Sequence, residues 1–236
     1  MKREKFFVHG VANVVIMLVI LFMMIMTNTL YPIAFTSGEG YNAIYRGNSN
    51  NKNISLMINV YWGTEFIEPM LEVLEINNAK ATFFVGGTWA NSNPDILQKI
   101  YDAGHEIANH GYYHKDHTRI TKERNSEEIY ITHELIKALI NYEMTLFAPP
   151  SGAFNDVTLE VANSLGYKTI MWSKDTIDWR DKDSSLILKR ATKTPQNGDL
   201  ILMHPTEHTL QALQDIITYY IDNNYALVSV SENIAN

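Results

Sequence analysis

Two histidines four apart, His110 and His114, lie in the stretch GHEIANHGYYH, residues 104–114. That spacing lets one turn of backbone aim two imidazoles at a common point, as a bound transition metal requires, and two neutral imidazoles make half of a zinc site. An H-x-x-x-H pair taken alone also arises as surface coincidence. Its surroundings add weight to the chemical reading. His110 follows the strand-like segment GHEIAN, so the pair falls at a strand's carboxyl end, the rim where α/β barrels keep their chemistry. His204 ends a second apolar run and precedes Pro205. Other runs are followed by Asn59 to Trp62, Gly86-Gly87, Pro149-Pro150 and Ser173 to Trp179. Polar, aromatic and backbone-shaping residues at each strand exit are hard to explain as core packing.

The elements that must position these residues follow from hydropathy. From Ile54 onward, short apolar runs alternate with longer amphipathic stretches, the pattern of repeated βα units around a parallel sheet. Seven strands are expected, over 54–60, 81–85, 105–108, 146–148, 168–172, 199–203 and 226–230. Helices are expected over 65–76, 94–103, 126–141, 156–165, 184–192 and 210–223, several with Asp, Ser or Pro in capping positions. Helices after most strands favour a closed or nearly closed barrel over an antiparallel sandwich.

With 236 residues, 46% hydrophobic and 19% charged, the chain is long enough for one large domain with a core. A net charge of −7 and the lack of a Lys/Arg-rich run beyond the first residues argue against nucleic acid as a partner. Cysteine is absent, so any metal is held by His, carboxylate or amide oxygen. Lys2, Arg3 and Lys5 precede an apolar run over 11–26 that continues, after Thr27-Asn28-Thr29, to Phe35. This run reads as one N-terminal transmembrane helix, an uncleaved anchor in preference to a cleaved signal peptide, which leaves the rest of the chain outside the cell membrane. Residues 36–53, rich in Gly and Asn, read as a polar tether.

Five ordered blocks, ISLMINVYWG, NHGYYH, FAPPSG, DTIDW and LILMHP, give residues 54–234 a resemblance to the polysaccharide deacetylases, the NodB-homology family of the carbohydrate esterase type. In overall wording the chain looks closest to sporulation-associated, membrane-anchored members. The resemblance implies an α/β fold, an irregular (β/α)7 barrel of the polysaccharide deacetylase type over 54–236. It also implies removal of N-acetyl groups from amino sugars of peptidoglycan or another cell-surface polysaccharide, with a divalent metal, zinc by preference. Carried across residue by residue, it makes His110 and His114 the metal ligands. His204 becomes the general acid for the leaving amine, and Asp178 the residue that orients it. Trp179 and Leu202 wall the acetyl pocket. Pro150 and Ser151 lie beside it, where the Ser151 N–H is placed to help an oxyanion, and Trp62 fits a sugar-stacking rim with Tyr61, Trp89, Tyr112 and Tyr113, Trp89 reading equally as barrel-edge packing.

Three departures qualify that picture. The family's first block usually ends in two adjacent aspartates, a base and a third metal ligand, where this chain has Asn59 and Val60. An amide accepts no proton at neutral pH, and valine binds no metal. Ala148 stands where an arginine braces the base, and Ser151 replaces an aromatic residue. A glycan-binding protein that kept the groove after losing the base is therefore the alternative to an active enzyme. Glu65 is a candidate substitute base or a plain helix-start carboxylate. Asp175 either pairs with a pocket cation or caps its turn. His105 reads as a hydrogen-bonded strand residue, and His117, His133 and His208 as surface positions.

Overall fold

The computed structural model describes residues 41–235. The expected transmembrane segment and the start of the tether lie outside them. No helix among the described residues is long and apolar enough to cross a membrane.

The chain runs β1 (Asn53–Val60), α1 (Ile67–Ile76), β2 (Ala81–Val85), α2 (Gly87–Ser92), α3 (Pro94–Asp102), β3 (Glu106–Asn109) and α4 (Lys122–Ile140). It continues through β4 (Leu146–Phe147), α5 (Asp156–Ser164), β5 (Lys168–Thr169), β6 (Lys174–Asp175), α6 (Ser184–Thr192), β7 (Asp199–Met203), α7 (Glu207–Asp222), β8 (Ala226–Leu227) and α8 (Val230–Asn233). Strand order is β5-β4-β3-β2-β1-β7-β6, with β8 also on β1, and every ladder is parallel. This is the expected barrel-like α/β fold. Its register fixes the site, because Asn59 pairs with Phe84 and Ile58 with Met203, so the last residues of neighbouring strands end at one level.

β1 is buried along almost its whole length, as a central parallel strand covered on both faces must be. Its alternate residues serve two layers. Ile54, Leu56, Ile58 and Val60 join Phe83, Val85, Ile107, Phe147, Ile201 and Met203 in the large cluster under the helices. Met57, Phe84, Ala108, Leu146, Ala148, Ile170 and Leu200 form the small cluster inside the barrel. Helices begin at side-chain caps: Thr121 for Arg124 N–H, Asn155 for Thr158 N–H, Thr206 for Thr209 N–H and Ser229 for Glu232 N–H, each relieving one orphan donor of a first turn.

Some expected boundaries move, for physical reasons. The run over 168–172 keeps only Lys168–Thr169 as strand, because β5 pairs with β4 whereas the chain then crosses to β7 and pairs there, beyond the run, as β6. The run over 226–230 keeps only two strand residues before Ser229 caps α8. Helix α2, unexpected from sequence, follows Gly86. The polar stretch before β1 does not hang free over its last part. Ile44 N–H donates to Thr169 O and Ile44 O accepts from Met171 N–H, Gly47 N–H donates to Gly198 O, and Arg46 pairs with the buried carboxylate of Asp199.

Candidate active site

The histidine loop is built from both directions. Asn109, the last residue of β3, turns outward; its amide donates to Ile129 O and Tyr167 Oη, and its Oδ1 accepts from Gly111 N–H. His110 consequently faces inward. Gly111 takes a positive φ of 73°, a conformation that glycine adopts without the cost a Cβ would bring, and the chain turns back. Tyr113 N–H then donates to Oε2 of the fully buried Glu128 at 2.6 Å, while Arg124 holds the other oxygen at 2.7 Å. His114 returns over the barrel mouth with its ring centroid 5.0 Å from that of His110.

His110 Nδ1–H donates to Ala148 O at 2.7 Å, which fixes the tautomer and leaves the Nε2 lone pair facing Asn59 Nδ2 at 3.4 Å. Burial, with the neighbouring His114 charge second, holds the His110 pKa well below the usual value, and burial brings His114 down to about 4. Both are neutral at physiological pH, as ligands must be. Asn59 Oδ1 is buried with no partner. Tyr61, the residue directly after β1, stacks on His114 with ring centroids 3.6 Å apart and an 18° interplanar angle. Burial, then the charge of Asp178, pushes its phenol pKa up.

Across the pocket, β7 delivers His204. Asp178, with a fully buried side chain, accepts from His204 N–H (2.6 Å), His204 Nδ1–H (2.8 Å) and Thr209 Oγ1–H (2.6 Å). Its three bonds fix the imidazole so that Nε2 is the free nitrogen. This is a positioned proton donor or acceptor of the kind acyl transfer uses.

A cavity of about 320 Å³ is lined by Asn59, Tyr61, His110, His114, Ser151, Trp172, Asp175, Trp179, Leu202 and His204. Seven sequence-expected residues thus meet there: Asn59, His110, His114, Ser151, Trp179, Leu202 and His204. Asp178 stands behind His204. Trp62 lies at the mouth, stacked on His204 at 5.2 Å. Pro150 is buried beneath the loop rather than lining the cavity. Tyr61, Trp172 and Asp175 complete the lining. Tyr61 is one of the rim aromatics expected from the sequence, whereas Trp172 gave no separate signal. Asp175 caps its own turn through Ile177 N–H and also lines the pocket. Trp89 is not a rim residue: it is buried, and its indole donates to Gly63 O. Glu65 bonds Thr64 N–H away from the pocket and is the plain helix-start carboxylate. His117 is a correction. It is fully buried, bonded to Asn125, with Nε2 unpartnered.

Residues 46–170 match the family model for polysaccharide deacetylase. The chain belongs to the polysaccharide deacetylase family. It is 41% identical over 189 residues, 80% of this chain, to the uncharacterized protein YlxY of Bacillus subtilis, and spans 59% of that protein. It is 28% identical to the B. subtilis peptidoglycan-N-acetylmuramic acid deacetylase PdaA, over 82% of this chain and 76% of PdaA. Among solved structures, BA3943 of Bacillus anthracis, described as a CE4 family pseudoenzyme, has 35% identity and a TM-score of 0.81, covering 84% of this chain and 70% of that one. A BA3943 mutant described as having restored enzymatic activity matches equally well.

CE4 deacetylases are generally metal-dependent, and His110 and His114 are the residues that would hold a metal, which would supply Lewis acidity to the acetyl oxygen. The donor set falls short. A catalytic zinc takes three protein ligands, and no group of three or more His, Asp, Glu or Cys side chains converges among the described residues. Val60 belongs to the apolar layer under the helices. The Asn59 amide nitrogen faces the lone pair that a metal needs. The residues present do not fit a tightly held catalytic metal.

Proposed function

We propose that this chain binds N-acetylated amino sugars of peptidoglycan, or of another cell-surface glycan, in the rim pocket, and that its hydrolytic step is disabled. The observation that carries this reading is Asn59. Its amide lies against His110 at the pocket floor, and among the described residues no carboxylate converges on the imidazole pair, Asp175 lining the cavity without joining it. The recognition features remain. An apolar wall (Trp172, Leu202) suits an acetyl group, and Trp62 and Trp179, with 36% and 57% exposure, offer ring faces at the mouth for pyranose stacking. The likeness to a pseudoenzyme structure supports the same direction. An extracytoplasmic setting, with the apolar run 11–26 as anchor, belongs to this proposal because the glycan is found there.

A second reading, slow hydrolysis, is favoured by one observation: the His204–Asp178–Thr209 network is complete. Calorimetric titration of the full chain with N-acetylglucosamine oligomers and peptidoglycan fragments, paired with an acetate-release assay, separates the two. Binding without acetate is the expected result. Acetate release abolished by His204→Ala establishes the second reading, and neither binding nor release overturns both.

A further inference from the structure

We propose that Tyr61 is a plug: its side chain occupies space between the imidazole pair and His204 and keeps this pocket from taking a divalent metal. The inference deepens the reading of the pocket as a disabled deacetylase site and rests on it.

The geometry is specific. The Tyr61 ring lies 3.6 Å from His114 and nearly parallel to it, 5.8 Å from His110, 6.3 Å from His204 and 4.2 Å from Trp62, centroid to centroid. At 3.6 Å two ring faces are in van der Waals contact, so no atom inserts between Tyr61 and His114. The Tyr61 ring therefore takes up part of the space that the three imidazoles face, beside the cavity of about 320 Å³ that they line together. A cation entering there must shed water beside an apolar face, and among the described residues no carboxylate joins the two histidines to compensate that loss. A missing third ligand lowers affinity, and the ring leaves less room on its side of the pocket for the water molecules that complete a two-histidine site. The plug sits directly after β1, where it lines the same cavity as Asn59, and Trp62 packs edge-on against it.

The test uses full-length protein and the metal alone. Zinc affinity is measured by chelator competition, and cobalt(II) absorption reports the coordination environment, for wild type, Tyr61→Ala, Tyr61→Ser, Tyr61→Phe and Tyr61→Ala with His110→Ala. Tyr61→Ala and Tyr61→Ser are expected to bind zinc about tenfold more tightly than wild type, a gain of about 1.4 kcal/mol, with new cobalt d–d bands. Tyr61→Phe stays at the wild-type level, because a ring and not a hydroxyl occupies that space, and His110→Ala removes the gain. Unchanged affinity in folded Tyr61→Ala or Tyr61→Ser, or a gain that survives His110→Ala, overturns the proposal. Two small side chains guard against one variant failing to fold, which circular dichroism reports. Glycan titration of the same proteins keeps the readings apart: loss of glycan binding with the zinc gain intact sinks the proposed function and leaves the plug, and the reverse result sinks the plug alone.

Discussion

Removing the Asp178 carboxylate strands three donors at once. Asp178→Ala leaves His204 N–H, His204 Nδ1–H and Thr209 Oγ1–H without their acceptor, and the lost side chain is fully buried. A hydrogen bond to a charged group contributes about 1.5–3 kcal/mol. The three do not add in full, because Thr209 has a second partner in Thr206. The expected cost is therefore about 3–5 kcal/mol, the range for breaking a buried charged network by deleting one partner. At roughly 2–4 °C per kcal/mol for a domain of this size, the melting temperature falls by about 6–20 °C. Asp178→Asn keeps one acceptor oxygen and costs less, about 1–3 kcal/mol. Urea denaturation of the three proteins at pH 7, followed by circular dichroism and tryptophan fluorescence, measures both. A loss under about 1 kcal/mol for Asp178→Ala with an unchanged m-value would mean that the carboxylate does not hold His204 in place, and the reasoning fails.

Other outcomes follow from the same geometry. Asn59→Asp in the Tyr61→Ala background is expected to raise zinc affinity beyond Tyr61→Ala alone and to give more acetate release than wild type, since a carboxylate both ligates and accepts a proton; an inactive, metal-free double variant contradicts this. Glu128→Gln should destabilise by about 1–3 kcal/mol, because Tyr113 N–H and Arg124 lose a charged acceptor, and chemical denaturation reads it. His105 is held down to about 4, by burial first and the Lys80 charge second. The unfolded chain, with an ordinary histidine, binds the proton first as pH falls, so stability is full above about 6.5 and declines towards 4. The His105 share between pH 7 and pH 5 is at most about 2 kcal/mol, and His105→Gln should flatten the urea-midpoint profile in that window. Arg46→Ala should cost about 1–3 kcal/mol by leaving buried Asp199 short of its closest cation; no change in melting temperature would return residues 44–47 to the role of free tether.

The strand exits were legible because parallel strands write themselves as apolar runs, and whatever follows each run stands on one rim. His110, His114 and His204 were found by that logic, and the Asp178–His204 pairing came from the family resemblance. Two-residue strands such as β6 carry no such period: Lys174 and Asp175 are polar and belong to a strand only because β7 lies beside them. His117 reads as surface beside Lys115 and Asp116, but Asn125 of α4 receives it across a loop that no local pattern records. The start of α4 was readable and was set too late: Thr121 caps Arg124 N–H. The contact between Tyr61 and His114 joins elements 53 residues apart in sequence, so pattern places the ring at the rim without telling what it rests on.

The path of residues 44–47 also has a mechanical side. β5 and β6 form no ladder with each other; the chain simply crosses between them at residues 170–173, and the preceding segment lies over that crossing, bonded to Thr169 and Met171 at one end and Gly198 at the other. Tension applied to the chain ahead of Tyr41 is thus delivered to the barrel's seam before it reaches any complete strand ladder. Those few bonds and the Arg46–Asp199 pair are the first to part. Pulled from this end, the domain should peel open at the seam in a low-force step, with the five-residue ladder between β1 and β2 yielding only afterwards.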